Sequence, residues 1–264
     1  MALKKNPGFL LLIPLLVAVL SCSAEIEGMV REGGAADLTL KSSLGPRTIA
    51  LIRSLQDFMG AKANPPGSHG GQGSSGVPIL DGPAISRSMA AAPGVRSVSL
   101  QEPRPAGQAA AAGSALDGTI SLSNVGDFLS GTGVNGLSAA KFITYSEGKS
   151  AGSSSIVVTL DKDRAPDVIS RLSPEVGDYL NALMAPVVLG ECSTKQEYLD
   201  LLTQVYGRSL SDEIAAAHIR AAIEFNRPIT AVQGGSGKGK KAEFDIPLVD
   251  LLVLEKPLVW EISW

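Results

Sequence analysis

Two histidines and two cysteines occur in 264 residues. The histidines are too few for a three-His metal centre within one chain. The cysteines are too few for a four-Cys zinc site or a disulfide-dense scaffold. Excess charge of either sign is missing as well. Against 26 Asp and Glu stand 23 Lys and Arg, for a formal charge of −3, and a nucleic-acid binder would carry a basic excess. No repeat of fixed period runs through the chain. Composition is 44% hydrophobic, which is enough to bury a core and excludes disorder of the whole chain.

The longest apolar run stands at the start. Lys4 and Lys5 precede Phe9 to Leu20, an unbroken apolar run apart from Pro14. As a helix these residues would reach roughly 18 Å, short of a hydrocarbon core of about 30 Å. A positive start, a short apolar run and then small residues is the layout of a secretory signal. Val19-Leu20-Ser21-Cys22 closes it and resembles the lipobox of bacterial lipoproteins. Val19 and Ser21 fit the usual pattern, and Leu20 stands where a small residue is commoner. The resemblance implies cleavage before Cys22, a diacylglycerol on its thiol and usually an acyl chain on the new amino group. Two or three acyl chains hold a protein firmly at a membrane, where one does so marginally. Two other fates are a cut after Ala24, which discards Cys22, and an uncleaved anchor. After cleavage before Cys22 the side-chain charge moves from −3 to −5 through the loss of Lys4 and Lys5, and Cys192 is left as the free thiol.

Residues 25–60 read as a β-β-α unit. Ile26, Gly28 and Val30 alternate with polar residues, Gly33-Gly34 offers a turn, and Leu38 and Leu40 alternate with Thr39 and Lys41. Gly45-Pro46 opens a helix with Ile49, Ile52, Leu55 and Met59 on one face, and Gly60 ends it. In residues 61–115, 36 of 55 positions are Gly, Ala, Ser or Pro. Such a stretch buries too little apolar surface to offset its ordering entropy, so it reads as a flexible insertion. Within it, Pro83 to Ala92 can form a short helix and Val95 to Leu100 a short strand.

Residues 116–264 read as an α+β domain. Thr119 to Leu122, Lys141 to Tyr145 and Ser155 to Leu160 are strand candidates. Ser173-Pro174-Glu175 starts a helix with Val176, Leu180, Leu183 and Val187 on its apolar face, ending near Gly190. Thr194 and Glu197 make a capping box for a second helix. Its face is Tyr198, Leu201, Leu202, Val205 and Tyr206, and Gly207 stops it. Ser211-Asp212-Glu213 starts a third, lined by Ile214, Ala217, Ala221 and Phe225. Ile229 to Val232 and Ala242 to Ile246 read as strands around a Gly/Lys turn. Leu248 to Leu254 reads as a strand buried on both faces, and Leu258 to Trp264 as an alternating one. The fold expected is α+β, a mostly antiparallel sheet with amphipathic helices on it. The opening hairpin and the closing strands would share one sheet.

Chemical motifs are sparse. Gly234-Gly235-Ser236-Gly237-Lys238-Gly239-Lys240-Lys241 matches G-x-x-x-x-G-K, but Lys241 stands where a P-loop needs Ser or Thr for magnesium. A strand follows it rather than a helix, so it reads as a hairpin tip, or as a basic contact point at Lys238, Lys240 and Lys241 for anionic lipid or an acidic partner. His69 lies in a polar stretch, and His218 reads as a packed histidine on a helix. Cys192 beside Glu191 reads as a small buried residue. Asp161-Lys162-Asp163 and Asp167 have Pro166 in the sixth place, where a calcium loop needs Gly. Trp260, Ile262 and Trp264 resemble the end of an outer-membrane barrel, but capped amphipathic helices argue against one.

The segment Val187 to Trp264, with the opening hairpin, also resembles uncharacterised lipoproteins of spirochaetes, which implies an envelope protein. The organisation expected is a signal peptide 1–21, a lipidated tether 22–24, the β-β-α unit 25–60, the insertion 61–115 and the domain 116–264. Cys22 is the candidate site, with no catalytic, cofactor or metal residues. The function expected is a non-enzymatic structural or protein-binding role in the envelope, exported and held at a bacterial membrane. Ser23, in the place where Asp retains some lipoproteins at the inner membrane, leans toward the outer one. A carrier for lipid or another apolar ligand is the alternative, its pocket shaped by 211–225 and 248–254. An envelope hydrolase using His218 is a third reading. Neither nucleic acid nor nucleotide is an expected partner.

Overall fold

The computed structural model describes residues 23–63, 79–103, 114–130, 142–148, 153–166 and 174–264. Eleven strands among them form two sheets. The larger has seven, ordered β3-β4-β2-β1-β7-β10-β9: β1 is Ser23–Val30, β2 Ala36–Ser43, β3 Val95–Gln101, β4 Ala115–Leu122, β7 His218–Phe225, β9 Ser236–Lys238 and β10 Lys241–Pro247. The smaller is ordered β5-β6-β11-β8, with β5 Ile143–Glu147, β6 Ser154–Leu160, β8 Ala231–Gln233 and β11 Leu258–Ser263. Pairing is antiparallel except for β1 with β7. The α+β, mostly antiparallel class is therefore the one observed.

The two sheets face each other. Alternation along β1 and β7 sends Ala24, Ile26, Gly28 and Val30, and Ile219, Ala221, Ile223 and Phe225, to one side. Phe225 meets Trp264 at 4.5 Å between ring centroids. Ala24 and Ile219 are packed with Ile246, Leu251, Leu160 and Trp260. Gly28 lies where its neighbour leaves no room, because a Cβ there would strike the Asp37 carbonyl and Leu38.

Helices gather at one end of this sandwich. They are α1 (Pro46–Ala63), α4 (Pro174–Val188), α5 (Lys195–Tyr206), α6 (Arg208–Ala215) and α7 (Leu248–Val253); α2 (Gly82–Met89) lies against β3, and α3 (Val125–Ser130) follows β4. Ser43, His218 and Pro247 are all strand residues at that end, so α1, α6 and α7 join the sheet directly. The Leu248 amide donates to the Ala217 carbonyl at 2.8 Å. α4 and α5 pack on α7 in turn.

Several expectations need correction. The helix expected over 211–225 stops at Ala215, and His218–Phe225 is a strand. Ile219, Ala221, Ile223 and Phe225 satisfy period two as well as the helical pattern does. The slot between β1 and β10, with ladders on both sides, decides in favour of the strand. Leu248 to Leu254 is a short helix rather than a strand. All its apolar side chains are buried, and Leu254 at φ 48° closes it. The closing strands do not join one sheet: β7 and β10 lie beside β1, whereas β8 and β11 form the second sheet. On α5, Tyr198 and Leu202 are buried, but Val205 and Tyr206 point to solvent. The first helix runs past Gly60 to Ala63.

Candidate functional site

Residues alternating with the core set build the opposite face of the large sheet. On β1 these are Glu25, Glu27 and Met29; on β7, Arg220, Ala222 and Glu224; on β10, Lys241, Glu243 and Asp245. Ala222 is small, and the longer side chains around it rim an open cavity of about 610 Å³. Its wall carries the carboxylates of Glu25, Glu27, Glu243 and Asp245 and the cations of Arg220 and Lys241, and Gly234, Gly235 and Ser236 close one side.

Register orders these charges. Across five strands, Asp117, Lys41, Glu25, Arg220 and Asp245 sit side by side. Signs alternate along the whole row. Arg220 Nε lies 3.7 Å from Asp245 Oδ1, and Lys241 Nζ 2.6 Å from Glu243 Oε1. That contact holds the Lys241 ammonium above its ordinary range. Cross-strand pairs of opposite sign contribute ~0.2–1 kcal/mol each, so the row organises the surface more than it stabilises the fold. Among the described residues no group of three His, Cys, Asp or Glu is placed to hold a metal ion.

His218 sits at the end of this face, on a strand rather than a helix. Its Nδ1 lies 2.6 Å from Asp245 Oδ1. Ser23 is its register partner on β1, and the Ser23 hydroxyl is bonded to the Ser43 hydroxyl at 2.9 Å. A serine, a histidine and an aspartate thus lie on neighbouring strands, with the serine turned to Ser43 rather than to the imidazole.

The other singled-out residues fall elsewhere. Cys192 is buried, and burial, with Glu197 nearby, pushes its thiol up, so the nucleophilic thiolate is disfavoured. Asp161 accepts from the Arg164 amide at 2.9 Å and pairs with its guanidinium. Residues 234–241 form the β9–β10 hairpin, Lys238 opposite Lys241, so strand follows strand where a P-loop needs a helix. Cys22, His69, Asp167 and Ser173 lie outside the described residues.

Sequence reasoning missed the charge row. Its members are far apart along the chain, and only the parallel β1–β7 pair brings Glu25 beside Arg220. The local signals were the alternation of Glu25 and Glu27 with Ile26 and Gly28, and of Lys241, Glu243 and Asp245 with Ala242, Phe244 and Ile246.

Among the described residues no helix is long and apolar enough to cross a membrane. No protein-family model matches the chain, and no curated protein matches it. Among solved structures, the folded domain of LppM from Mycobacterium tuberculosis, determined by NMR, is similar at a TM-score of 0.35 and 8% identity, over 91% of this chain and 87% of that one. At that score the likeness adds nothing to the reading of the site.

Proposed function

We propose that this chain is a bacterial envelope lipoprotein, held at a membrane through Cys22, whose folded part binds another protein and performs no catalysis. The observation that carries the reading is the signal-like start ending in Val19-Leu20-Ser21-Cys22, one residue before β1 begins at Ser23. The polar face supports a protein partner. It is open, built on a rigid sheet, and patterned in charge by register, which favours a partner with the complementary pattern.

The anchor is tested by the intact mass of protein extracted from membranes. Cleavage before Cys22 with added acyl mass is expected, and Cys22→Ala should lose both. A mass that fits a cut after Ala24 would refute the anchor. The binding role is tested by cross-linking in intact envelopes with the wild type and with Arg220→Glu. A partner cross-linked by the first and lost with the second is expected. An unchanged cross-link pattern would move the interface off this face.

A further inference from the structure

Four of the five large apolar side chains most exposed among the described residues lie in the helical layer: Val188 at 70%, Leu189 at 73%, Val205 at 61% and Tyr206 at 40%. They form two knuckles of the same design. Val188-Leu189 is followed by Gly190 at φ 75°, and Val205-Tyr206 by Gly207 at φ 87°. At each glycine an added Cβ would meet nothing within 4 Å, so both tips stand proud of their surroundings. One is at the end of α4 and the other at the end of α5, and both helices pack on α7.

The start of the described chain is at the same end. Ser23 pairs with His218, and His218 with Pro247, the residue from which α7 continues. Two interstrand spacings put Ser23 about 10 Å from Pro247. Cys22 directly precedes Ser23 in the chain. Ser23 is already in register with both β2 and β7, so no linker separates a lipid on Cys22 from the folded domain. A long tether would let the domain tumble above the membrane.

We infer that the helical end is a membrane-docking surface, and that Val188-Leu189 and Val205-Tyr206 enter the headgroup boundary of the bilayer that holds the acyl chains of Cys22. The inference rests on the lipid-anchor reading. Its occupant is lipid, because the acylated residue adjoins the surface and apolar side chains beside an anchored bilayer bury into its interface. The Lys238, Lys240 and Lys241 tip lies at the opposite end of the sandwich, since β10 runs from Lys241 down to Pro247, so it faces away from that membrane.

The test uses full-length chain made in a lipidating host and reconstituted into phosphatidylcholine and phosphatidylglycerol vesicles. In a Cys192→Ala background, an environment-sensitive fluorophore is placed on Leu189→Cys, Val205→Cys or Lys240→Cys, and doxyl-labelled lipid is added as quencher. Quenching at 189 and 205 about twofold or more above that at 240 is expected for groups roughly 5–10 Å into the interface. Equal quenching at all three sites, in protein whose mass shows acyl chains, would overturn docking and leave the anchor standing. Protein with no acyl mass would overturn the anchor and docking with it.

Discussion

Helix α1 lacks a side chain to cap itself, because the residue before Pro46 is Gly45. Glu213 of α6 supplies the cap from a distant part of the chain. Its carboxylate accepts from the Arg47 amide at 3.1 Å and the Thr48 amide at 2.8 Å. The glycine makes this possible, since a Cβ on residue 45 would occupy the space of that carboxylate. Hydrogen bonds to a charged acceptor are worth more than neutral ones, and loss of a cap costs ~0.5–2 kcal/mol. With the site partly exposed, Glu213→Ala should cost about 2 kcal/mol, and Glu213→Gln about half of that. Gly45→Ala should cost about as much as Glu213→Ala, because the new methyl evicts the same carboxylate. The double variant should then cost about 2 kcal/mol rather than about 4, a coupling well outside the additivity of independent sites. Urea unfolding of the four proteins gives the numbers, and the midpoint of thermal unfolding should fall by roughly 4–8 °C for each single Ala variant. Additive losses would refute the reasoning, because they would mean that residue 45 and Glu213 do not compete for one space.

The capping box of α5 makes a pH-dependent contribution. Amides of Ser193 and Thr194 donate to Glu197 and hold its carboxyl below the ordinary range. Its contribution is present above the pKa of a free carboxylate and drains away as pH falls through the lowered value, so Glu197→Gln should flatten the acid limb of stability measured by urea unfolding between neutral and acid pH. Thr194→Ala should cost about 1 kcal/mol at neutral pH. Cys192 should resist alkylation in the native protein and react on unfolding, as its burial and raised thiol require; rapid labelling of folded protein would contradict that placement.

Legibility in the sequence followed how local each signal was. The α5 capping box and the β1–β2 hairpin are local patterns, and both appear where Thr194, Glu197 and Gly33-Gly34 put them. β7 was misread because Ala217, Ala221 and Phe225 fit a helix while Ile219, Ala221, Ile223 and Phe225 fit a strand. Only the β1 and β10 ladders separate the two, and these are contacts at long range. α7 was misread because a short run of Leu and Val buried on every side has the same composition in either conformation. Val205 and Tyr206 kept the helical spacing of a core face, yet α5 outruns what it packs on, so its last turn projects. The charge row was invisible for the same reason as β7: its order exists only in the register.

That row has a consequence for binding. Asp117, Lys41, Glu25, Arg220 and Asp245 alternate in sign, so their fields largely cancel beyond a Debye length of about 8 Å at physiological salt. Such a surface does not steer a partner from afar, as a patch of one sign would. It discriminates at contact, where a partner shifted by one strand would set like charges together. Arg220→Glu places a third carboxylate between Glu25 and Asp245 and makes one sign run across β1, β7 and β10. The cost to the fold should stay near 1 kcal/mol or below, because these are exposed cross-strand pairs. Loss of the partner should be far larger, because a bound surface that matched Arg220 would then face three adjacent carboxylates. With the partner from the cross-linking experiment in hand, the ionic-strength dependence of association separates the two mechanisms. An association rate nearly flat with salt, together with a dissociation rate raised by Arg220→Glu, is the signature of contact-range matching. A rate falling steeply with salt in the wild type would mean long-range steering from some other part of the molecule.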